Sequence, residues 1–231
     1  MPHCDFGQLT KINHPLKPPA KTPNALDHEN EVKVWDIFVR FFHWALVTLF
    51  FLAYASGDDF ETVHAYLGYG IVLLLVARII WGLTGTKYAR FTNFIYGRKT
   101  IKAYAGSLLS GRPKHYLGHN PLGGWMIMAL LAGLLLTCWS GLEAYGSKGL
   151  GPLAAIDTSL IVAARADDDE RVSKGSRIWK EIHEFFASLV MFLIAGHIAG
   201  VIISSLVHRE NLVRSMWTGY KINPHDDDVS T

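Results

Sequence analysis

The chain of 231 residues is 50% hydrophobic, with a mean hydropathy of +0.19 and a formal net charge of only +2. This nearly balanced charge gives no reason to expect a nucleic acid as partner. The apolar residues collect in four blocks, which favours a membrane protein over one or two soluble domains. Two cysteines, Cys4 and Cys138, are too few for a disulfide framework, and without a CxxCH motif no covalently attached c-type haem is expected.

The first two predicted membrane spans follow a polar N-terminal segment. Residues 1–33 are rich in Pro, Lys, Asn and His, and we expect a mobile cytoplasmic tail there and no cleavable signal peptide. The first span covers residues 37–55, with His43 early in it. The acidic turn SGDDFET leads to the second span, residues 63–83, and His64 stands at its start. Each block is close to the roughly 20 residues that cross the hydrocarbon core of a bilayer.

The last two spans are separated by a long loop. A basic loop over residues 84–121 leads to the third span, which covers residues 122–142. Residues 143–181 form a predicted periplasmic loop. Within it, residues 152–166 are too interrupted by polar side chains for a fifth span, and we expect a loop with an interfacial helix there. The fourth span covers residues 182–206.

The predicted architecture is an all-α integral membrane protein, a four-transmembrane-helix bundle over residues 34–221 followed by a C-terminal tail, residues 222–231. Of the 22 Lys and Arg, six lie in residues 143–181; the other sixteen lie in the two tails, the basic loop and the bordering helix ends. The positive-inside rule therefore places both termini in the cytoplasm and the acidic turn in the periplasm. We expect a multi-pass protein of the bacterial inner membrane.

Four histidines fall at two depths of this predicted bundle. His183 and His197 are fourteen residues apart, which returns a helix to within roughly 40° of the same face and about 21 Å along its axis. By depth, His64 pairs with His183 on the periplasmic side and His43 with His197 on the cytoplasmic side. A single intramembrane histidine can simply bind a headgroup or a neighbouring helix, but four that pair by level indicate a function.

Paired imidazoles at two levels indicate two metals with two axial ligands each. Imidazole binds zinc, copper, nickel and iron, but a zinc site wants four ligands around one ion. Two ligands suffice for a six-coordinate haem, so the pattern predicts two haem b groups enclosed by the bundle. Gly68, four residues after His64, would let a porphyrin or a neighbouring helix approach closely. Arg78 and Arg40 would pair with haem propionates, unless Arg78 snorkels to the headgroups.

Five segments of the chain carry a family resemblance. They are VWDIFVRFFHWAL, VHAYLGY, ARIIWGLTGTKYARF, GHNPLGGWM and HEFFASLVMFLIAGHIAGVIISSLVHRENLVRSMWTGYK. They resemble the prokaryotic di-haem cytochrome b561 family, which includes the b-type cytochrome subunits of nickel–iron hydrogenases. The resemblance covers about residues 34–221. It implies the same four haem ligands in the same pairs, namely His64 with His183 and His43 with His197.

The resemblance also implies electron transfer between a periplasmic redox partner, either a hydrogenase or a c-type cytochrome, and the quinone pool of a respiratory chain. The chain would then be the electron-transfer subunit of an oxidoreductase complex. In the hydrogenase and formate dehydrogenase relatives, quinone is reduced near the cytoplasmic haem, a region that here holds His197, His119, Asn120 and Arg78. The charged run RADDDERVSKGSR is either a solvated face or a docking surface for the partner. The sequence allows a homodimer but does not determine the oligomeric state.

Three alternatives stand beside this interpretation. A stand-alone superoxide:quinone oxidoreductase of the same fold would need a basic periplasmic pocket; the acidic turn argues against it, and Lys174, Arg177 and Lys180 favour it. A metal transporter would need acidic residues inside the spans, and the first three spans have none in their interiors. A haem-free anchor would show no haem absorbance. The sequence gives neither the direction of electron flow nor the quinone type.

Overall fold

The computed structural model describes residues 31–57, 59–110, 116–157 and 169–222. These residues form helices, two short strands and a 3-10 turn at Phe91–Asn93. The helices and strands in chain order are β1 (Glu31–Lys33), α1 (Ile37–Ser56), α2 (Glu61–Thr84), α3 (Arg98–Leu109), α4 (Pro121–Gly146), α5 (Gly151–Asp157), α6 (Asp169–His208), α7 (Leu212–Thr218) and β2 (Tyr220–Ile222).

Four helices are long and apolar enough to cross a membrane. They are α1, α2, α4 and the segment Ser176–His208 of α6, with 20, 24, 26 and 33 residues. Each reaches the roughly 20 residues that a bilayer requires. The prediction of four spans is therefore confirmed, and the first three begin and end within a few residues of the predicted bounds.

The fourth helix begins earlier than predicted, because α6 starts at Asp169 and not at residue 182. Its first part, DERVSKGSRIWKE, is polar, so a search for apolar blocks does not find it. It is nonetheless rich in Glu, Lys and Arg, which are good helix formers. The predicted loop over residues 143–181 is correspondingly shorter, since α4 continues to Gly146. The helix α5, Gly151–Asp157, lies where a short helix was expected within this loop. The rest of the predicted interfacial segment, residues 158–166, lies outside the described residues.

Short polar side chains fix where the helices begin. The Asp36 carboxylate accepts a hydrogen bond from the Val39 amide at 2.8 Å and caps α1. The Asn120 carbonyl oxygen accepts one from the Gly123 amide at 2.7 Å and caps α4, whose first residue is proline. These are the residue types preferred at the cap and first positions, since they satisfy or avoid the unpaired amides of the first turn.

The bundle consists of two helix pairs. α1 packs along α2, and α4 packs along α6, while the pairs meet mainly where α2 contacts α4. The buried side chains between them are Phe42, Phe50, Ala53, Ile71, Leu75, Leu131, Leu134 and Val190. α6 is the least buried of the four spans and exposes Phe185, Phe192 and Leu206. Exposed apolar side chains of this kind are expected where a helix faces lipid.

One end of the bundle, which we call the strand end, is closed by structure that the all-α prediction missed. β1 pairs with β2 in an antiparallel ladder from Glu31↔Ile222 to Lys33↔Tyr220. The last three residues of the predicted tail 1–33 are therefore paired, and one residue of the predicted C-terminal tail joins them. A buried ion pair joins Lys221 to Glu210 at 3.1 Å. Three-residue strands are too short to show a period-2 pattern in sequence.

Helix α3 also lies at the strand end, within the predicted loop of residues 84–121. Its Tyr104 is buried and packs on Tyr116, with ring centroids 5.6 Å apart. Its basic side chains Arg98, Lys99 and Lys102 are exposed. We call the opposite end of the bundle, where residues 57–60 join α1 to α2, the turn end. There the Lys148 ammonium pairs with the Glu61 carboxylate, tying α2 to the residues that follow α4.

Candidate haem-binding sites

At the turn end, the structure brings together the imidazoles of His64 on α2 and His183 on α6. Their ring centroids are 5.8 Å apart and their planes are nearly perpendicular, at 88°. Two metal–imidazole bonds of about 2 Å each, plus the distance from each nitrogen to its ring centre, give centroids roughly 6 Å apart. The observed separation therefore fits two ligands on opposite sides of one metal.

Each of these two imidazoles is held through its Nδ1 atom. The Nδ1–H of His64 donates to the carbonyl oxygen of Ala53 at 2.8 Å, and that of His183 donates to the carbonyl oxygen of Thr137 at 2.9 Å. A carbonyl oxygen only accepts, so in both rings the proton lies on Nδ1 and the lone pair on Nε2. A hydrogen bond of this kind orients a metal-binding histidine and raises its basicity.

The donor set suits iron in a macrocycle better than a bare ion. Among the described residues, no group of three or more His, Cys, Asp or Glu could hold a metal ion. A zinc site would need further protein ligands. A haem iron takes four ligands from its porphyrin and needs only the two axial imidazoles from the protein.

At the strand end, His43 on α1 and His197 on α6 form the second predicted pair. They lie close enough to interact electrostatically. The Nδ1 atom of His43 is buried and has no hydrogen-bond partner. Like the turn-end pair, these histidines come from different halves of the bundle, the α1–α2 pair and the α4–α6 pair. A haem between the two helix pairs would therefore have one histidine on each of its faces, both at the turn end and at the strand end.

Buried nitrogen atoms without a hydrogen-bond partner are concentrated at the strand end. Besides His43 Nδ1, they are Arg40 Nε, Trp44 Nε1, Arg78 Nη1 and His119 Nδ1. Buried donors almost always have partners, so such a cluster requires an explanation. The arginine and tryptophan nitrogens can only donate. The strand end thus offers donors to a group rich in acceptors, and haem propionates are such a group.

The two arginines in this set differ in their surroundings. Arg78 is only 3% exposed, and its Nη2 donates to the Ala89 carbonyl oxygen at 3.2 Å. Its guanidinium lies 4.9 Å from the ring centre of Phe91. Arg78 therefore does not snorkel out to the headgroups. Arg40 donates through Nη2 to the carbonyl oxygen of Trp217 and so also anchors α7.

The two residues predicted at a quinone site are placed differently. The Asn120 carbonyl oxygen is occupied by the cap of α4. His119 is half-buried and packs between Trp35 and Phe94, with ring centroids 4.5 and 4.7 Å away. Burial, followed by the charges of Arg78 and Lys221 and by His197, lowers the pKa of His119 to about 3. His119 is therefore a neutral imidazole at physiological pH.

The predicted glycine Gly68 borders open space, because a Cβ atom there would meet no atom within 4 Å. Gly200, three residues after His197, is equally unobstructed. The open space at Gly68 leaves room for a group beside the backbone of α2, whereas Gly200 is exposed on the surface of α6. The roles of the Ala53 and Thr137 carbonyls could not be predicted from the sequence, since any residue type carries the same backbone acceptor.

Comparison with known proteins identifies the class of the chain. Residues 34–219 match the model of the prokaryotic cytochrome b561 family, and the chain belongs to that family. It is a multi-pass membrane cytochrome of the b type that acts in electron transfer and binds haem b.

A curated relative is named Probable Ni/Fe-hydrogenase B-type cytochrome subunit, from Rhizobium leguminosarum bv. viciae. It is 27% identical over 168 residues, which cover 61% of this chain and 70% of the relative. No solved structure matches the chain significantly.

Proposed function

We propose that the chain holds two haems b in series and carries electrons between a periplasmic redox partner and the quinone pool of the bacterial inner membrane. The observation that carries the proposal is the turn-end pair, where two imidazoles lie with ring centroids 5.8 Å apart and both protons fixed on Nδ1. His64 and His183 would hold one haem, and His43 and His197 the other. When bound, each haem supplies an iron that accepts and releases one electron.

The protein itself would set the positions of the two haems. His183 and His197 lie on the same helix, so α6 fixes the spacing of the two sites, about 21 Å along the helix axis. Arg78 and Arg40 would bind propionates at the strand end, where their unpaired nitrogens require acceptors. Gly68 would let the turn-end porphyrin lie against α2.

The proposed orientation puts the strand end in the cytoplasm. Between residues 62 and 142 the chain has no acidic residue, and the exposed cations Arg98, Lys99 and Lys102 of α3 lie in this interval. Basic segments of this kind remain on the cytoplasmic side. Both termini then lie in the cytoplasm, and the turn end faces the periplasm.

The proposed periplasmic partner is a hydrogenase, because the relative from Rhizobium carries hydrogenase in its name; a c-type cytochrome is the alternative. Quinone would react at the strand end. His119 is the better candidate there, since its imidazole is neutral and its buried Nδ1 atom has no hydrogen-bond partner. Asn120 is weaker, because its carbonyl oxygen already caps α4.

The superoxide:quinone oxidoreductase alternative gains little from the structure. It needs unpaired cations at the turn end. Lys148 is paired with Glu61, and Lys180 with Glu184 at 3.6 Å. The side chain of Lys174 lies outside the described residues. Arg177, the third cation of this prediction, is exposed on α6, so it keeps the alternative open.

The first test is a reduced-minus-oxidised spectrum of the purified protein with haem quantified as the pyridine haemochrome. We expect two haems b per chain. His64→Ala and His183→Ala should each remove the same haem, and His43→Ala and His197→Ala the other, because each haem needs both of its ligands.

The matched control is His208→Ala, a histidine of the same helix outside both pairs, which should keep both haems. If the His64 and His43 variants left identical spectra, the two-level arrangement would be wrong. A wild-type protein without haem would refute the proposal altogether.

A further inference from the structure

Helix α4 has a gap in its side-chain surface where the His183 ring lies. The gap is at Gly141. A Cβ atom at this position would lie 2.9 Å from Cε1 and 3.0 Å from Nδ1 of His183. Real Cβ atoms do not come this close to a ring, so the imidazole occupies space that any other residue at position 141 would fill.

The same glycine leaves the carbonyl of Thr137 accessible. Thr137 is four residues before Gly141, and helical side chains extend back over the preceding turn. A side chain at position 141 would therefore cover the carbonyl oxygen that accepts the Nδ1–H of His183 at 2.9 Å. The hydroxyl of Thr137 is not involved, because it donates to the Gly133 carbonyl oxygen.

A second acceptor beside the ring strengthens this arrangement. The Oγ atom of Ser140 is 3.4 Å from His183 Nδ1, and its hydroxyl donates to the Leu136 carbonyl oxygen at 2.8 Å. Ser140 is only 2% exposed. The imidazole proton thus faces two oxygens of one helix turn, and both are reached through the gap at Gly141.

The turn-end partner histidine has a related but looser arrangement. The Nδ1–H of His64 donates to the carbonyl of Ala53, and the residue four positions later is again a glycine, Gly57. A Cβ at Gly57 would lie 3.7 Å from His64 Nδ1, which is ordinary van der Waals contact. Glycine is therefore sterically required beside His183 but not beside His64.

We infer that Gly141 is a positioning residue for His183: by leaving α4 bare at this point, it lets the imidazole bond to the Thr137 carbonyl and turn its Nε2 toward the haem. This inference rests on the proposed function, since it concerns the ligand of one of the two proposed haems. It adds to the proposed function that haem binding at the turn end requires glycine at position 141, a residue that does not itself bind iron.

The test is Gly141→Ala, examined by haem content per chain, by the electron paramagnetic resonance of the low-spin ferric haems and by redox titration. The methyl group should displace the ring and remove the bond to Thr137. We expect loss of the turn-end haem, from two haems per chain to one, with the resonance and the potential of the strand-end haem unchanged. That second haem reports whether the bundle has folded.

Two control variants separate positioning from packing. Gly57→Ala should keep both haems, because a methyl group fits there. Gly133→Ala lies on the same helix and is as tight, with its Cβ 2.9 Å from Val190 Cγ2, but it does not face His183. It should lower the thermal stability and leave the haem content at two.

Two results in the variants would overturn the inference alone while the wild type retains two haems. One is a Gly141→Ala protein with two haems and wild-type resonances and potentials. The other is evidence that Gly141 is a packing residue only. Such evidence would be loss of both haems together in Gly141→Ala, or the same pattern of loss in Gly141→Ala and Gly133→Ala. A wild type without haem would instead refute the proposed function, and the inference with it.

Discussion

Arg78 is a charged residue placed where charge is expensive. It lies inside a predicted span, is almost fully buried, and has one guanidinium nitrogen without a partner. Asp36 is close enough to interact with it electrostatically. A buried cation in a membrane protein is usually tied to function. We attribute its burial here to an acidic group of the proposed strand-end haem.

Replacing Arg78 with glutamine should lower the midpoint potential of the strand-end haem. A nearby cation favours the reduced iron, so its removal stabilises the ferric state. We expect a fall on the order of 60 mV, one decade in the equilibrium constant of a one-electron couple. Redox titration followed at the two haem bands measures this shift.

Arg78→Lys retains the charge and should fall between the glutamine variant and the wild type. Arg90→Gln removes an exposed cation nearby in the chain and serves as the control. An unchanged potential in Arg78→Gln would show that Arg78 has only a structural role.

At the level of single residues, the sequence predicts the histidine pairing by depth. For Arg78 it allows two interpretations, a propionate ligand or a side chain that snorkels to the headgroups. His64 and His183 do lie together, with ring centroids 5.8 Å apart, at the common depth that the predicted spans give them. The Nδ1 acceptors were not predictable, because Ala53 and Thr137 act through backbone atoms. Gly141 was not predictable either, since the ring that fills its space comes from a different helix.

At the level of elements, Asp36 joins the start of α1 to the end of α2. Beyond its cap on Val39, its second carboxylate oxygen accepts from Trp81 Nε1 at 3.0 Å and from Thr86 Oγ1 at 2.6 Å. Partial burial alone would raise the pKa of Asp36, but these hydrogen bonds outweigh it. The pKa therefore lies below its ordinary value of 3.8.

Asp36→Ala should destabilise the strand end by about 2 kcal/mol, which combines the loss of a helix cap with two side-chain hydrogen bonds. Because the folded-state pKa is depressed, the contribution of the carboxylate is complete above the unfolded-state pKa. It is lost as the pH falls through the lower folded-state value. Thermal unfolding in detergent, followed by haem absorbance across the acidic range, measures both effects.

Asp59→Ala, an exposed acidic residue at the turn end, is the matched control and should leave the unfolding temperature unchanged. If the difference between Asp36→Ala and wild type did not shrink as the pH was lowered, the ionised carboxylate would not be the stabilising form.

Elements outside the four apolar blocks were the least predictable. The first part of α6 and the whole of α3 carry many charges, so hydropathy does not detect them. The ladder of β1 and β2 joins residues almost two hundred positions apart. Its partners can be found only after the four spans have brought residues 31–33 and 220–222 to one end of the bundle.

For the whole molecule, the proposed topology predicts which residues are accessible from each side. In a Cys4→Ser background, a membrane-impermeant maleimide should label Asp59→Cys in intact spheroplasts, because the turn end faces the periplasm. Lys102→Cys on α3 should be labelled only after the membrane is permeabilised. Cys138 is common to both proteins, so the Cys4→Ser parent gives its background. The reverse pattern would invert the bundle and move the quinone site to the periplasm.

The continuous helix α6 also constrains how the family can diverge. Because one unbroken helix carries a ligand of each pair, inserting a single residue between His183 and His197 would rotate one imidazole by about 100° away from its site. Natural insertions and deletions should therefore be absent from this interval. The connection between α4 and α6 carries none of the four histidines, so a change in its length would leave the spacing of the two proposed haems intact.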